Sequence, residues 1–195
     1  MPESLRKKYY NDYVEFRKID YSEWCNICID QFREKGLAKN DFKNITRSLS
    51  VTKNLREVIS TLKRQGFITA IISGGIDTFL AEMILDYEEL FDYVFINKFI
   101  WDEDGKLIGV EPTKYDFEGK IEAIKYICKK EKIKTHQVIF VGEGRNDEDI
   151  FHEFMISGNG FSVAYPGTES SVEHRANATI YEDDMYKVLD VIPLR

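Results

Sequence analysis

Two short apolar runs constrain this chain more than any other feature. Phe67-Ile-Thr-Ala-Ile-Ile-Ser73 and Gln137-Val-Ile-Phe-Val-Gly142 are rich in β-branched residues. Each is too short for a helix and lacks the apolar–polar alternation of a strand with one wet face. Both therefore predict strands buried on two faces, as in a parallel sheet. Helical patterns lie between and around them. Leu55, Val58, Ile59 and Leu62 recur at helical spacing and stop at Gly66. Further helices are predicted near 77–88 and over 118–131. Residues 92–110 hold two strand-like runs joined by Asp102-Glu-Asp-Gly105, a hairpin signal. Phe161–Ala164 and Ala178–Tyr181 are shorter runs ahead of a terminal helix. This alternation predicts an α/β fold over residues 51–195, a Rossmann-like parallel sheet with helices on both faces.

Residues 1–50 read differently, as a small helical layer of their own. Tyr9, Tyr10, Tyr13, Val14 and Phe16 share one face of a first helix. Ser22 is the expected cap of a second, which carries Trp24, Ile27, Cys28 and Phe32 and stops at Gly36. Asn40 is the expected cap of a third, with Phe42, Ile45 and Leu49 on one side.

Composition removes several classes of partner. The formal charge is −7 over 195 residues. A net acidic chain is a poor polyanion binder, so nucleic acid and anionic membrane are not expected partners. A small phosphorylated ligand stays open, because a few local cations and a bound metal can hold one. No apolar run approaches the roughly 20 residues a membrane helix needs, and the N-terminal stretch lacks the apolar segment of a signal peptide. There are three cysteines. Cys25 and Cys28 form a C-x-x-C, but no second pair completes a zinc site and no strand precedes it. Both read as reduced helix residues, and a cytoplasmic protein is the expectation.

Three places set small or charged residues just past a predicted strand end or at a helix start, where open α/β sheets hold ligands. Ser73-Gly74-Gly75 offers a hydroxyl and unobstructed backbone N–H groups for an oxyanion or phosphate. By itself it equally suits a plain strand-to-helix turn. Lys120, in Phe-Glu-Gly-Lys-Ile-Glu-Ala-Ile, could offset phosphate charge, although such lysines are usually solvated surface residues. Gly142-Glu143-Gly144-Arg145-Asn146-Asp147 places two carboxylates four residues apart on a glycine turn. That arrangement suits a hard cation such as Mg²⁺, which takes oxygen ligands and usually one or two carboxylates. It also suits an acidic helix N-terminus favoured by the dipole.

In this order the three segments resemble motifs two, three and four of the haloacid-dehalogenase superfamily. The intervals, 47 residues from Ser73 to Lys120 and 23 from Lys120 to Glu143, fit its phosphoserine-phosphatase branch. The hairpin segment and residues 158–180 resemble that branch too, and residues 1–50 resemble its helical cap. The resemblance implies a Mg²⁺-dependent phosphomonoester hydrolase of small phosphorylated metabolites. Ser73 and the Gly74 N–H would bind the transferring phosphoryl oxygens, and Lys120 would orient the nucleophile and neutralise phosphate charge. Glu143 and Asp147 would hold Mg²⁺, with Asn146 supporting substrate or metal shell. Arg47 in the cap is a candidate for gripping the substrate.

Two features depart from that pattern. Glu143 stands where the family has Asp, which moves the carboxylate out by one methylene. More seriously, the family's first strand ends in D-x-D, whose first Asp attacks phosphorus and whose second is general acid and base. No apolar strand of this chain ends so: Asp20 lies in a helical region and Asp102-Glu-Asp104 in the hairpin. The resemblance places the missing strand between those ending at Ser73 and Gly142, leaving a slot of roughly 10 Å, two strand spacings. Three arrangements would resolve it: the chain begins at an internal methionine of a longer product, the two strands close up and pair, or another chain supplies a strand, in a homo-oligomer or by strand donation. Without the nucleophile the chain is expected to be inactive or impaired. The alternatives are a non-catalytic module that binds Mg²⁺ and phosphate, and an assembly module.

Overall fold

The computed structural model describes residues 21–116, 119–143, 147–168 and 173–193. The expected first helix, with Tyr9 to Phe16, lies outside these. Two helices lead: α1 (Tyr21–Glu34) and α2 (Lys39–Thr46). Gly36 ends α1 with φ +66, a left-handed conformation that a side chain disfavours. Ser22 is not a cap, since it lies inside α1. Asn40 is not one either. Asp41 does that work, accepting the Ala38 N–H at 2.8 Å from the helix's third position.

The α/β core follows in the expected order: α3 (Leu55–Arg64), β1 (Ala70–Ile76), α4 (Asp77–Met83), α5 (Tyr87–Leu90), β2 (Tyr93–Trp101), β3 (Leu107–Glu111), α6 (Lys120–Glu131), β4 (Ile139–Gly142), α7 (Glu148–Ser157), β5 (Phe161–Ala164), β6 (Ala178–Thr179) and α8 (Tyr186–Val191). The single helix expected near 77–88 is two pieces, α4 and α5, broken at Ile84–Asp86. Ile84 is buried there and Leu85 is thrown into solvent. The hairpin forms as expected, β2 antiparallel to β3, with the Asp102 carboxylate accepting the Asp104 and Lys106 N–H groups inside its turn.

The strands form two sheets. β1 pairs in parallel with β2 in the order β1-β2-β3, and β4 pairs in parallel with β5 in the order β4-β5-β6. β1 and β4 do not pair, so the sheet has not closed up as one of the three arrangements required. Among the described residues, each of these two strands keeps one edge without a ladder partner.

Helices hold the two halves together. On one face, Ile72 of β1 and Phe140 of β4 pack into the same cluster with Ile124 and Cys128 of α6 and Ile150 and Phe154 of α7. On the other, α3 straddles the gap: Leu55 and Ile59 pack near Ile71 of β1, while Leu62 packs with Ile139 and Val141 of β4. Apolar burial against shared helices therefore replaces the ladder hydrogen bonds a strand between them would supply. Ile72, Phe140 and Val141 remain only partly buried, unlike residues inside a continuous parallel sheet.

α1 packs across β3, and α2 against α4. Between them and β2 lies a group of rings: Phe42 sits 5.3 to 6.1 Å from Phe32, Phe79, Phe99 and Trp101, centroid to centroid. The contacts with Phe32, Phe99 and Trp101 are edge-on, and each such contact adds about 1 kcal/mol beyond area burial. No helix among the described residues is long and apolar enough to cross a membrane.

Candidate active site

The expected strand end at Ser73 is not an end: β1 continues through Ser73-Gly74-Gly75 to Ile76. The register explains how. Ile72 pairs with Phe95 but Ile76 pairs with Asn97, so β1 carries two more residues than β2 across this stretch. The extra residues bulge out of the ladder. Ser73 Oγ accepts the Gly75 N–H at 3.0 Å, which leaves the hydroxyl hydrogen to donate elsewhere.

The bulge faces a cavity of about 580 Å³ that also reaches Asp116, Lys120, Glu143 and Asp147, with α1 above it. Lys120 is the first residue of α6 and is buried, with its Nζ 2.6 Å from Asp147 Oδ1. The other carboxylate oxygen of Asp147 accepts the Glu143 N–H at 3.1 Å. Gly142 is required at this point. A Cβ there would fall 2.6 Å from Asp147 Oδ2, closer than van der Waals contact allows. Glu143 is exposed, and its Oε2 lies towards Gly167, in the loop after β5.

Five of the six expected site residues, Ser73, Gly74, Lys120, Glu143 and Asp147, thus line one cavity. Asn146 lies outside the described residues. Arg47 does not line this cavity. It is exposed beyond α2 and donates to Asn44 Oδ1 at 3.3 Å. The C-x-x-C forms no disulfide. Cys25 is buried with its Sγ 4.0 Å from Asn97 Oδ1.

Three further residues shape the site. Asp116, four residues before Lys120, is buried, and its carboxylate rests on Gly74. Asn97, also buried, uses its whole amide. Nδ2 donates to Gly74 O at 2.8 Å and to Tyr21 Oη at 2.7 Å, and Oδ1 accepts the Thr113 N–H at 2.8 Å. Burial and the neighbouring Asp116 charge push the Tyr21 hydroxyl far above its ordinary pKa, so it stays protonated. A polar residue inside Tyr-Val-Phe-Ile-Asn-Lys-Phe-Ile-Trp was a readable signal for Asn97. Asp116 carries no comparable signal, because its place depends on contact with a residue 42 positions earlier.

The donor chemistry fits a hard divalent cation. Glu143 and Asp147 supply carboxylate oxygens on one cavity, the number Mg²⁺ commonly takes with water and phosphate completing its shell. Among the described residues no three His, Cys, Asp or Glu side chains close on one point. The arrangement is therefore an open rim rather than an all-protein cage.

Comparison with known proteins identifies the family. A family model described as haloacid dehalogenase-like hydrolase matches residues 9–153. The phosphoserine phosphatase of Archaeoglobus fulgidus is 28% identical over 162 residues, covering 82% of this chain and 44% of that protein. That of Methanocaldococcus jannaschii is 29% identical over 160 residues, covering 81% and 71%. The chain thus spans less than half of the Archaeoglobus relative. Among solved structures, a phospho-aspartyl intermediate analogue of phosphoserine phosphatase superposes with a TM-score of 0.72 at 27% identity, covering 98% of this chain and 86% of that one. This chain belongs to the haloacid dehalogenase-like hydrolase family, in its phosphoserine-phosphatase-like branch.

Proposed function

We propose that this chain forms the phosphate- and Mg²⁺-binding part of a phosphomonoesterase for small phosphorylated metabolites. One observation carries the reading: the buried Lys120–Asp147 pair, 2.6 Å apart, lies on the same cavity as the Ser73 bulge. A hydroxyl donor, a cation and acidic oxygens converging there are the parts that phosphoryl transfer requires. Ser73 and the Gly74 backbone would grip phosphoryl oxygens. Lys120 would offset their charge, and Asp147 holds Lys120 in place. Glu143 and Asp147 would hold Mg²⁺, which when bound neutralises phosphate charge. Residues 1–50 would serve as cap over a core of 51–195, and the absence of disulfides fits a cytoplasmic setting.

The nucleophile is the missing part. Among the described residues, one edge of β1 and one edge of β4 lack a ladder partner, and a strand ending in aspartate would deliver it between them. By itself the chain is therefore proposed to bind Mg²⁺ and phosphate with little turnover. Calorimetric titration with Mg²⁺ and then inorganic phosphate tests the site, and absence of heat at millimolar ligand would sink it. Rates with generic phosphoesters test the rest. Robust metal-dependent turnover by the 195 residues would show that the nucleophile is already present. The divided sheet also favours a second reading, a non-catalytic module completed by a donated strand. A strictly monomeric sedimentation profile would remove donation between copies of this chain.

A further inference from the structure

We infer that Asn97 is a positioning residue of the phosphate grip: it fixes the Gly74–Gly75 peptide, and through that peptide it aims the Ser73 hydroxyl into the cavity. The inference rests on the phosphate reading of that cavity and concerns what orients its hydroxyl donor. A serine oxygen alone does not make a grip. The hydroxyl rotates, and it can accept a hydrogen bond as readily as donate one. An anion needs it as a donor, held in one orientation before the ligand arrives.

One peptide supplies that orientation. In a trans peptide the C=O and N–H share a plane and point opposite ways. Between Gly74 and Gly75 both ends are held by side chains. Asn97 Nδ2 donates to Gly74 O at 2.8 Å. The Gly75 N–H, at the other end, donates to Ser73 Oγ at 3.0 Å. Ser73 Oγ is therefore an acceptor within the bulge, and its own hydrogen must point away from the Gly75 N–H. That leaves the hydrogen for an oxyanion in the cavity that Ser73 lines.

The setting of Asn97 suits this task. Its backbone pairs with Ile76, where the ladder of β1 and β2 resumes after the bulge, so its side chain reaches back to Gly74 from a fixed point. Its amide cannot turn over. Oδ1 accepts the Thr113 N–H at 2.8 Å, and a flipped amide would set two donors face to face there. It is also buried, where a hydrogen bond is electrostatically stronger than in water. On the other flank the Asp116 carboxylate lies where a Cβ of Gly74 would stand. The bulge is thus held between Asn97 at its carbonyl and Asp116 against its α-carbon.

The test is a double-variant cycle on phosphate affinity, by calorimetry with inorganic phosphate on the whole 195-residue chain in saturating Mg²⁺. Ser73→Ala and Asn97→Leu should each weaken phosphate about tenfold, the scale of one hydrogen bond to a charged ligand. The chain carrying both should bind no worse than Ser73→Ala, because Asn97 acts through the hydroxyl already removed. Asp92→Asn loosens the start of β1 without touching the bulge and should leave phosphate affinity unchanged. Thermal melts establish that each variant folds. Asn97→Ser, whose shorter side chain cannot reach Gly74 O, replaces Asn97→Leu if the latter does not fold, with the same expected loss. An Asn97 variant that binds phosphate like wild type, losses that multiply in the double variant, or an equal loss in Asp92→Asn would each overturn the inference while the phosphate site stands. If wild type binds no phosphate, the phosphate reading fails and takes this one with it.

Discussion

The carboxylate of Asp116 rests on the backbone of Gly74, so closely that a Cβ at Gly74 would fall 1.8 Å from its Oδ2. A glycine there is thus a requirement of a buried acid distant in sequence, as well as of the bulge. Gly74→Ala must displace Asp116 and should cost about 1–3 kcal/mol, the usual range for overpacking. Asp116→Ala in the same chain removes the obstacle. Chemical denaturation of the two single variants and the double variant checks this: the double should regain most of the Gly74→Ala loss. Simple addition of the two losses would refute the contact.

Lys120 and Asp147 are side chains left 10% and 7% exposed, held 2.6 Å apart. Removing either partner takes the opposite charge away from a buried group, which typically costs ~3–5 kcal/mol. Lys120→Met and Asp147→Leu should each lose stability on that scale, and the double variant far less than their sum. A coupling near zero in the double-mutant cycle would mean that water already solvates both groups.

The parts of this fold that were legible in sequence are those set by short-range pattern. FITAIIS and QVIFVG mark β1 and β4 because β-branched apolar runs are what a doubly covered strand needs. Asp102–Gly105 marks the hairpin because the turn chemistry is local. The end of β1 was not legible. Glycines usually signal a turn, but here the chain stays extended through Gly74 and Gly75 because Ile76 recovers its pairing with Asn97. The break between α4 and α5 was hidden for a similar reason, since it depends on Ile84 finding the core formed with Ile59, Leu90 and Phe91. In the site, Ser73, Lys120, Glu143 and Asp147 were legible through their order and spacing. Asp116 was not, and Arg47 lies off this cavity, which nothing in its local sequence reports.

Acid should loosen the start of β1. The Asp92 carboxylate accepts the Thr69 N–H at 2.8 Å and the Thr69 hydroxyl at 3.0 Å, and pairs with Lys63 at 2.9 Å. Burial pulls its pKa upward, but those partners outweigh it and hold the carboxyl below its ordinary value of 3.8. A group whose pKa is depressed by folding stabilises the fold above the unfolded value. That contribution disappears as pH falls through the folded one. Asp92→Asn should therefore lower the melting temperature at neutral pH and flatten its decline between about pH 5 and 3. An unchanged slope over that window would exclude Asp92 as a contributor to acid sensitivity.

Asn97 joins three parts of the chain through one side chain: the bulge of β1 at Gly74, the first turn of α1 at Tyr21, and the segment after β3 at Thr113. All its polar valences are directed inward, so each substitution leaves partners behind. Asn97→Leu strands the Gly74 carbonyl and the Thr113 N–H in a buried place, for a loss of about 2–4 kcal/mol. Asn97→Asp sets a carboxylate oxygen against the Gly74 carbonyl and should be no better. Tyr21→Phe removes a single bond and should cost about 1 kcal/mol. Stability alone would not separate a tie from simple packing, whereas hydrogen exchange does. The Thr113 amide donates to the Asn97 side chain, so in Asn97→Leu it should exchange faster, while amides within β2 lose protection only in proportion to the global loss. A Thr113 amide as protected in the variant as in the wild type would show that Asn97 fills space there without tying the three segments together.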